Sequence, residues 1–171
     1  MPFSDEANKP WTMEQIRERI RPRTVLDVGA GAGRYAALVR EAVGATVFIE
    51  AAEVWEPYIF QYQLLHKYNA VSLGDIRDRI NFQYDLVILG DVLEHMTEDD
   101  AVAVWDRISR QAGHAIISIP IIHYHQDEMF GNPFEKHVVE DWTTERVLDT
   151  FPGIIAHKEF PVTGVFIGQF Y

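Results

Sequence analysis

Thr24-Val25-Leu26-Asp27-Val28-Gly29-Ala30-Gly31-Ala32-Gly33-Arg34-Tyr35 is the stretch on which the reading of this chain turns. An apolar, β-branched run enters three glycines spaced two apart, and a helix-forming segment follows. A strand, a glycine turn and a helix N-terminus together form a cradle for a nucleotide-like ligand. Glycine lets the backbone bend sharply and approach that ligand with no Cβ in the way. The dinucleotide fingerprint G-x-G-x-x-G would put its third glycine at position 34, where this chain has Arg34. A glycine-rich turn of this kind also suits tight packing alone, so the rest of the chain has to decide.

Length and charge narrow the choice. The 171 residues suit a single domain over 1–171, long enough to bury a core. No stretch approaches the roughly 20 consecutive apolar residues of a membrane span, so no membrane partner is expected. The N-terminus carries Asp5, Glu6 and Lys9 and no apolar run, unlike a signal peptide. There are no cysteines, which excludes disulfides, a thiolate nucleophile and cysteine-ligated zinc. A cytoplasmic location is compatible with all of this. Lys plus Arg is 15 against 26 Asp plus Glu, a formal net charge of −11. A surface of that sign repels a phosphate backbone, so nucleic acid is an unfavourable partner and a small-molecule acceptor a better one. The cluster Arg17, Arg19, Arg21 and Arg23 reads as a solvated helix end. An oligomer is possible but nothing indicates one.

Strand-like and helical runs alternate. Thr12 to Ile20 reads as a helix capped by Thr12, with Gln15 three residues on, inside an N-terminal helical cap over 1–22. Strands are predicted at 24–28, 45–49, 70–73, 84–89 and 114–119, with helices at 34–43, 57–68, 98–111 and 143–150. The run 84–89 is continuously apolar after Asp85, as in a strand buried on both faces of a parallel sheet. Segments 154–160 and 165–171 read as a terminal antiparallel pair. The predicted fold is α/β: a doubly wound, Rossmann-like seven-stranded sheet, mostly parallel with a C-terminal antiparallel hairpin, and helices on both faces.

Two motifs carry a family resemblance. Asp27-x-Gly29-x-Gly31-x-Gly33 resembles the first motif of class I S-adenosylmethionine-dependent methyltransferases. Tyr84-Asp85-Leu86-Val87-Ile88-Leu89-Gly90-Asp91-Val92-Leu93-Glu94-His95-Met96 resembles the fourth-strand motif of the small-molecule type, including UbiG-like, sugar and natural-product members. The likeness runs from about Arg23 to Tyr171. It implies S-adenosylmethionine as cofactor and S-adenosylhomocysteine as product. It also implies that Gly29, Gly31 and Gly33 cradle the cofactor, with Asp27 near its amino-acid end. Glu50, about twenty residues past the first glycine, would take the ribose hydroxyls, with Glu53 the fallback should the strand end elsewhere. Asp75 would face the adenine amino group, Ile76 its ring, and Asp91 with Val92 the sulfonium. The cofactor has no phosphate, and no lysine stands beside the loop in sequence.

Methyl transfer is an in-line displacement in which the protein aligns the acceptor, excludes water and, for an alcohol, helps take a proton. His95 is the first candidate base, because histidine has the natural pKa for that work. Glu94 has a similar claim, and Asp91 stands closest to the methyl. A loop over 120–142 follows the fifth strand, where substrate should be read. Its His123, His125, Asn132 and His137, with Trp142, are the candidate substrate contacts. His123, His125, Glu128 and His137 invite a metal, but their spacing matches no standard site and none is expected. Asn132-Pro133-Phe134 resembles an amino-methyltransferase signature placed one strand too late, and that reading is rejected. Trp55, Tyr58, Phe60 and Tyr62 lie at helical spacings and read as core. Trp11, Met13 and Tyr35 are candidates to cover the cofactor. Two rivals stay open: an NAD(P)-dependent oxidoreductase, and a non-catalytic S-adenosylmethionine-binding module.

Overall fold

The structure is a computed structural model and describes residues 5–170. Seven strands form one sheet in the order β3-β2-β1-β4-β5-β7-β6. They are β1 (Thr24–Val28), β2 (Phe48–Glu53), β3 (Ala70–Leu73), β4 (Leu86–Gly90), β5 (His114–Pro120), β6 (Ile154–Glu159) and β7 (Thr163–Gln169). The first five are mutually parallel, while β7 runs antiparallel to both β5 and β6. The predicted architecture is therefore the observed one, hairpin included.

Side-chain alternation along the central strands explains why helices cover both faces. Val25, Leu86 and Ile88 fall in one apolar cluster, with Leu38 and Val39 of α2 (Arg34–Val43). Leu26, Val87 and Leu89 fall in the other, with Val104 and Trp105 of α5 (Glu98–Ser109) and Val147 of α6 (Thr144–Thr150). Each such fully buried side chain is worth about 1.5–3 kcal/mol. The start of α5 is fixed by Thr97, whose Oγ1 accepts from the Asp100 N–H at 3.2 Å, and by acids in its first turn that suit the helix dipole. No helix among the described residues is long and apolar enough to cross a membrane.

Three predicted elements differ. The N-terminal helix α1 begins at Lys9, with Pro10 in its first turn, and runs to Gln15 before a π-helical turn over Ile16–Ile20. Thr12 is therefore inside the helix, where its hydroxyl donates to the Asn8 carbonyl at 2.9 Å, and caps nothing. The predicted helix 57–68 is two short ones, α3 (Glu56–Gln61) and α4 (Leu64–Lys67), broken where Gln63 turns left-handed at φ 54°. Strand β2 starts and ends later than expected, because residues 48–52 pair with β1 and residues 50–53 with β3. That shift moves an acidic residue of the site.

Candidate active site

A cavity lies at the carboxyl ends of β1, β2 and β4, beside the reversal of strand order between β1 and β4. Ligands of open α/β sheets bind there. The glycine loop lines it through Gly29 and Gly31. Gly29 is left-handed at φ 64°, and a Cβ there would stand 2.9 Å from Val92 Cγ2, so loop and β4 tip meet only because glycine is present. The Gly31 N–H donates to Glu53 Oε2 at 3.1 Å, and the Trp55 N–H to Glu53 Oε1 at 2.9 Å. Burial raises the Glu53 pKa, and those backbone donors oppose the rise.

The later end of β2 corrects the expected ribose acid. Glu53, not Glu50, lines the cavity. Residues three apart on a strand point to opposite faces. Glu50 instead accepts from Tyr84 Oη at 2.6 Å and Ser72 Oγ at 2.9 Å, and pairs with Arg79 at 2.9 Å, away from the cavity. Asp27 is corrected too: it lies buried behind the loop, accepts from Tyr68 Oη at 2.5 Å, and does not line the cavity. Burial pushes its pKa up to about 7. Gly33 caps α2 and faces a separate shallow groove rather than the cavity. A lysine does reach the loop from afar, since Lys67 Nζ donates to the Ala32 carbonyl at 2.8 Å.

Asp75, Ile76, Asp91 and Val92 all line the cavity, as expected. The Asp75 carboxylate is held by the Arg77 guanidinium at 2.6 Å, which lowers its pKa. Asp91 is a non-glycine residue in the left-handed region, at φ 57°, a conformation that persists where the surroundings impose it. Here its N–H donates to the Ser118 carbonyl at 2.8 Å, and its Oδ1 accepts from Ser118 Oγ at 3.2 Å. Asn8 donates to the same Ser118 hydroxyl, and the buried Lys9 ammonium donates to Tyr35 Oη at 3.0 Å. Asp91 and Glu6 pull the Lys9 pKa up while burial, the larger effect, pushes it down. Of the expected cover residues only Tyr35 lines the cavity; Trp11 and Met13 pack against the core.

The loop after β5 folds back onto the β4 tip, where the Val138 and Val139 N–H groups donate to the Glu94 carbonyl at 2.8 and 3.1 Å. This brings His137 against His95, ring centroids 4.9 Å apart. His95 lines the cavity, and its Nδ1 lies 3.1 Å from the Lys136 carbonyl. Burial above all pushes its pKa down to about 4. His137 is buried, with Nδ1 2.8 Å from the Tyr124 carbonyl. Glu94 is 1% exposed, and neither carboxyl oxygen has a hydrogen-bond partner in another residue. Burial and the Asp91 charge raise its pKa well above the usual carboxylate range.

The other loop residues separate into two groups. Asn132 lines the cavity, its Oδ1 accepting from the Phe134 N–H at 2.9 Å. His123, His125 and Trp142 do not, which corrects three expected contacts. His123 is exposed, and His125 turns outward to Glu140 and Asp127. Trp142 is 1% exposed and packs at a tilt against Phe151 in the core, with its ring in the cluster under α6. Tyr58, expected in the core, lines the cavity instead and donates to Glu135 Oε1 at 3.1 Å, while Phe60 is exposed. Lys9 and Glu135 went unread in the sequence. Only the sequence neighbourhood of Glu135, within Asn132-Pro133-Phe134-Glu135, pointed its way.

The strand order and the place of the cavity are those of a known architecture. The N-terminal domain of EvdMO1, solved in the presence of SAH and D-fucose, superposes with a TM-score of 0.69 at 13% identity, over 98% of this chain and 85% of that one. Burkholderia thailandensis 1,6-didemethyltoxoflavin-N1-methyltransferase, bound to its substrate and S-adenosylhomocysteine, gives 0.68 at 16% identity, over 96% of this chain and 79% of that one. This chain has the class I methyltransferase fold. The mitomycin 7-O-methyltransferase MmcR shares it, with a TM-score of 0.65 and 17% identity over 95% of this chain and 54% of its own. No protein-family model matches the sequence, and no curated protein matches it. Within the methyltransferase fold, the glycine loop, Glu53, Asp75 and Asp91 line the cavity, and His95 lines it with Glu94 and His137 behind it, neither of which is in the lining.

Proposed function

We propose that this chain binds S-adenosylmethionine and transfers its methyl group to a small-molecule acceptor, at oxygen. The observation that carries the reading is the Glu53 carboxylate on the Gly31 N–H. In a dinucleotide-binding fold the loop amides and helix N-terminus receive a pyrophosphate. Here a side-chain anion takes that donor, so a phosphate would meet a buried negative charge. A phosphate-free ligand carrying cationic groups suits the cavity better. Glu53, Asp75, Asp91 and Glu135 line it, while its two arginines are paired, Arg34 with Glu6 and Arg77 with Asp75.

When bound, S-adenosylmethionine supplies an electrophilic methyl on a sulfonium. Gly29 and Gly31 would let the backbone close on it, Glu53 would accept from its ribose hydroxyls, and Asp75 with Ile76 would frame its adenine. Asp91, held by Ser118, and Val92 would flank the sulfonium end. Asp27 acts behind the loop as a positioning residue through Tyr68. His95 is neutral at pH 7, which leaves its imidazole able to accept a hydrogen bond from an acceptor hydroxyl. The loop 120–142 contributes Asn132 to the acceptor's side. Oxygen as the acceptor atom is supported by the mitomycin 7-O-methyltransferase among the structural neighbours, with the toxoflavin N1-methyltransferase as the opposing example.

The test is turnover. Purified chain with S-adenosylmethionine and a panel of hydroxylated and aminated small molecules is expected to release S-adenosylhomocysteine with at least one hydroxyl acceptor. Turnover only with amines moves the acceptor to nitrogen. Cofactor binding without turnover on any acceptor leaves the non-catalytic module, and reduction of NAD(P) would overturn the reading.

A further inference from the structure

Glu94 poses a problem that the cofactor reading does not solve. A carboxyl group buried with no hydrogen bond from another residue at either oxygen is costly in an apolar setting. It does not lie in a random place. One ligand atom each from Glu94, His95 and His137 lies within 4.8 Å of the others. Donor atoms bound at about 2.0–2.1 Å around a tetrahedral ion stand about 3.3 Å apart. The three donors must draw together from that spread to reach this spacing.

Both rings are already fixed in the matching orientation. His95 and His137 each direct Nδ1 to a backbone carbonyl, that of Lys136 and that of Tyr124. A carbonyl accepts only, so each Nδ1 carries the proton and each Nε2 keeps its lone pair. Metal-ligating histidines carry this kind of outer hydrogen bond, which sets tautomer and ring direction. The backbone ties between Val138, Val139 and Glu94 hold the two loops together, so the three donors arrive pre-assembled. Asp91 adds negative charge beside this group.

We propose that Glu94, His95 and His137 bind a divalent transition-metal ion, zinc being the best match to two imidazoles and one carboxylate without thiolate. Three protein ligands leave an open coordination position. His95 lines the cavity, so that position serves the acceptor's side of it. There the ion holds an acceptor oxygen and makes its hydroxyl more acidic, the proton leaving to water. This last step rests on the methyl-transfer reading; the metal site does not. His95 is then a ligand rather than a base.

The test uses chelator-treated full chain titrated with Zn2+ alone, without cofactor, and S-adenosylmethionine titrated separately. One zinc per chain is expected, weakened at least 100-fold in Glu94→Gln and in His137→Ala and unchanged in His125→Ala. No stoichiometric zinc, or zinc binding untouched by the Glu94 and His137 changes, overturns the site. If those variants fail to fold, cobalt-loaded wild-type chain decides: two exchangeable imidazole N–H resonances shifted by the metal are expected, and their absence overturns the proposal. Zinc binding without S-adenosylmethionine binding would leave the metal site standing and remove the methyl-transfer reading. The reverse result would do the opposite.

Discussion

The glycine-loop side of the cavity and the Glu94 group behind the β4 tip follow different rules. On the glycine-loop side each of these acids has at least one donor: Glu53 takes two backbone N–H groups, Asp75 an arginine, and Asp27 behind them a tyrosine on one oxygen, its Oδ1 remaining unpartnered. Beyond the β4 tip, Glu94 is as deeply buried as Asp27, and neither of its oxygens accepts from another residue. The first group is largely satisfied by the polypeptide itself. The second is built as though something else finishes it. Buried polar groups in folded proteins are almost all paired, and Glu94 is the one carboxylate of these with both oxygens unpartnered by another residue.

The contrast breaks first at Asp27. Its pKa is about 7 in the fold against an ordinary 3.8, so the folded chain holds a proton that the unfolded chain gives up. The stability this contributes is full below about pH 4 and is lost as pH rises through about 7. The loss is about 1.4 kcal/mol per pH unit and about 4 kcal/mol in all. Asp27→Asn, neutral throughout, should therefore gain on wild type across that window in denaturant titrations at stepped pH. Equal slopes would mean that Asp27 is charged and the first group is not self-satisfied. Next comes Glu53→Ala, which leaves the Gly31 and Trp55 N–H groups unpaired. S-adenosylmethionine affinity measured by calorimetry should fall about 100-fold, some 2.7 kcal/mol. Glu50→Ala sharpens the point from the other side. It should cost about 1–2 kcal/mol of stability by denaturant melt, through Tyr84, Ser72 and Arg79, yet leave that affinity within about twofold. Smallest of all, His123→Ala and His125→Ala should change neither turnover nor cofactor affinity, since both side chains lie off the cavity.

The fold was legible because its signals are local. The run into Gly29 and the apolar strand before Gly90 each state their own conformation. Strand β2 was misplaced because Ala51 and Ala52 carry little strand preference, and only pairing with β1 and β3 extends the strand to Glu53. That error passed directly to the choice of Glu50. Trp142, His123 and His125 were misread for a related reason: a loop rich in histidine and aromatics looks functional throughout, whereas backbone bonds decide which side chains turn inward. His137 turns in because the Tyr124 carbonyl receives its ring and Val138 docks on Glu94. No spacing announces a contact across more than forty residues.

Isothermal titration of the purified chain with S-adenosylmethionine and, separately, with NADH tests the reading of the cavity most directly. Saturable binding of S-adenosylmethionine, lost in Glu53→Ala, with no heat from NADH, is the expected result. Binding of NADH, or S-adenosylmethionine binding indifferent to Glu53, would contradict it.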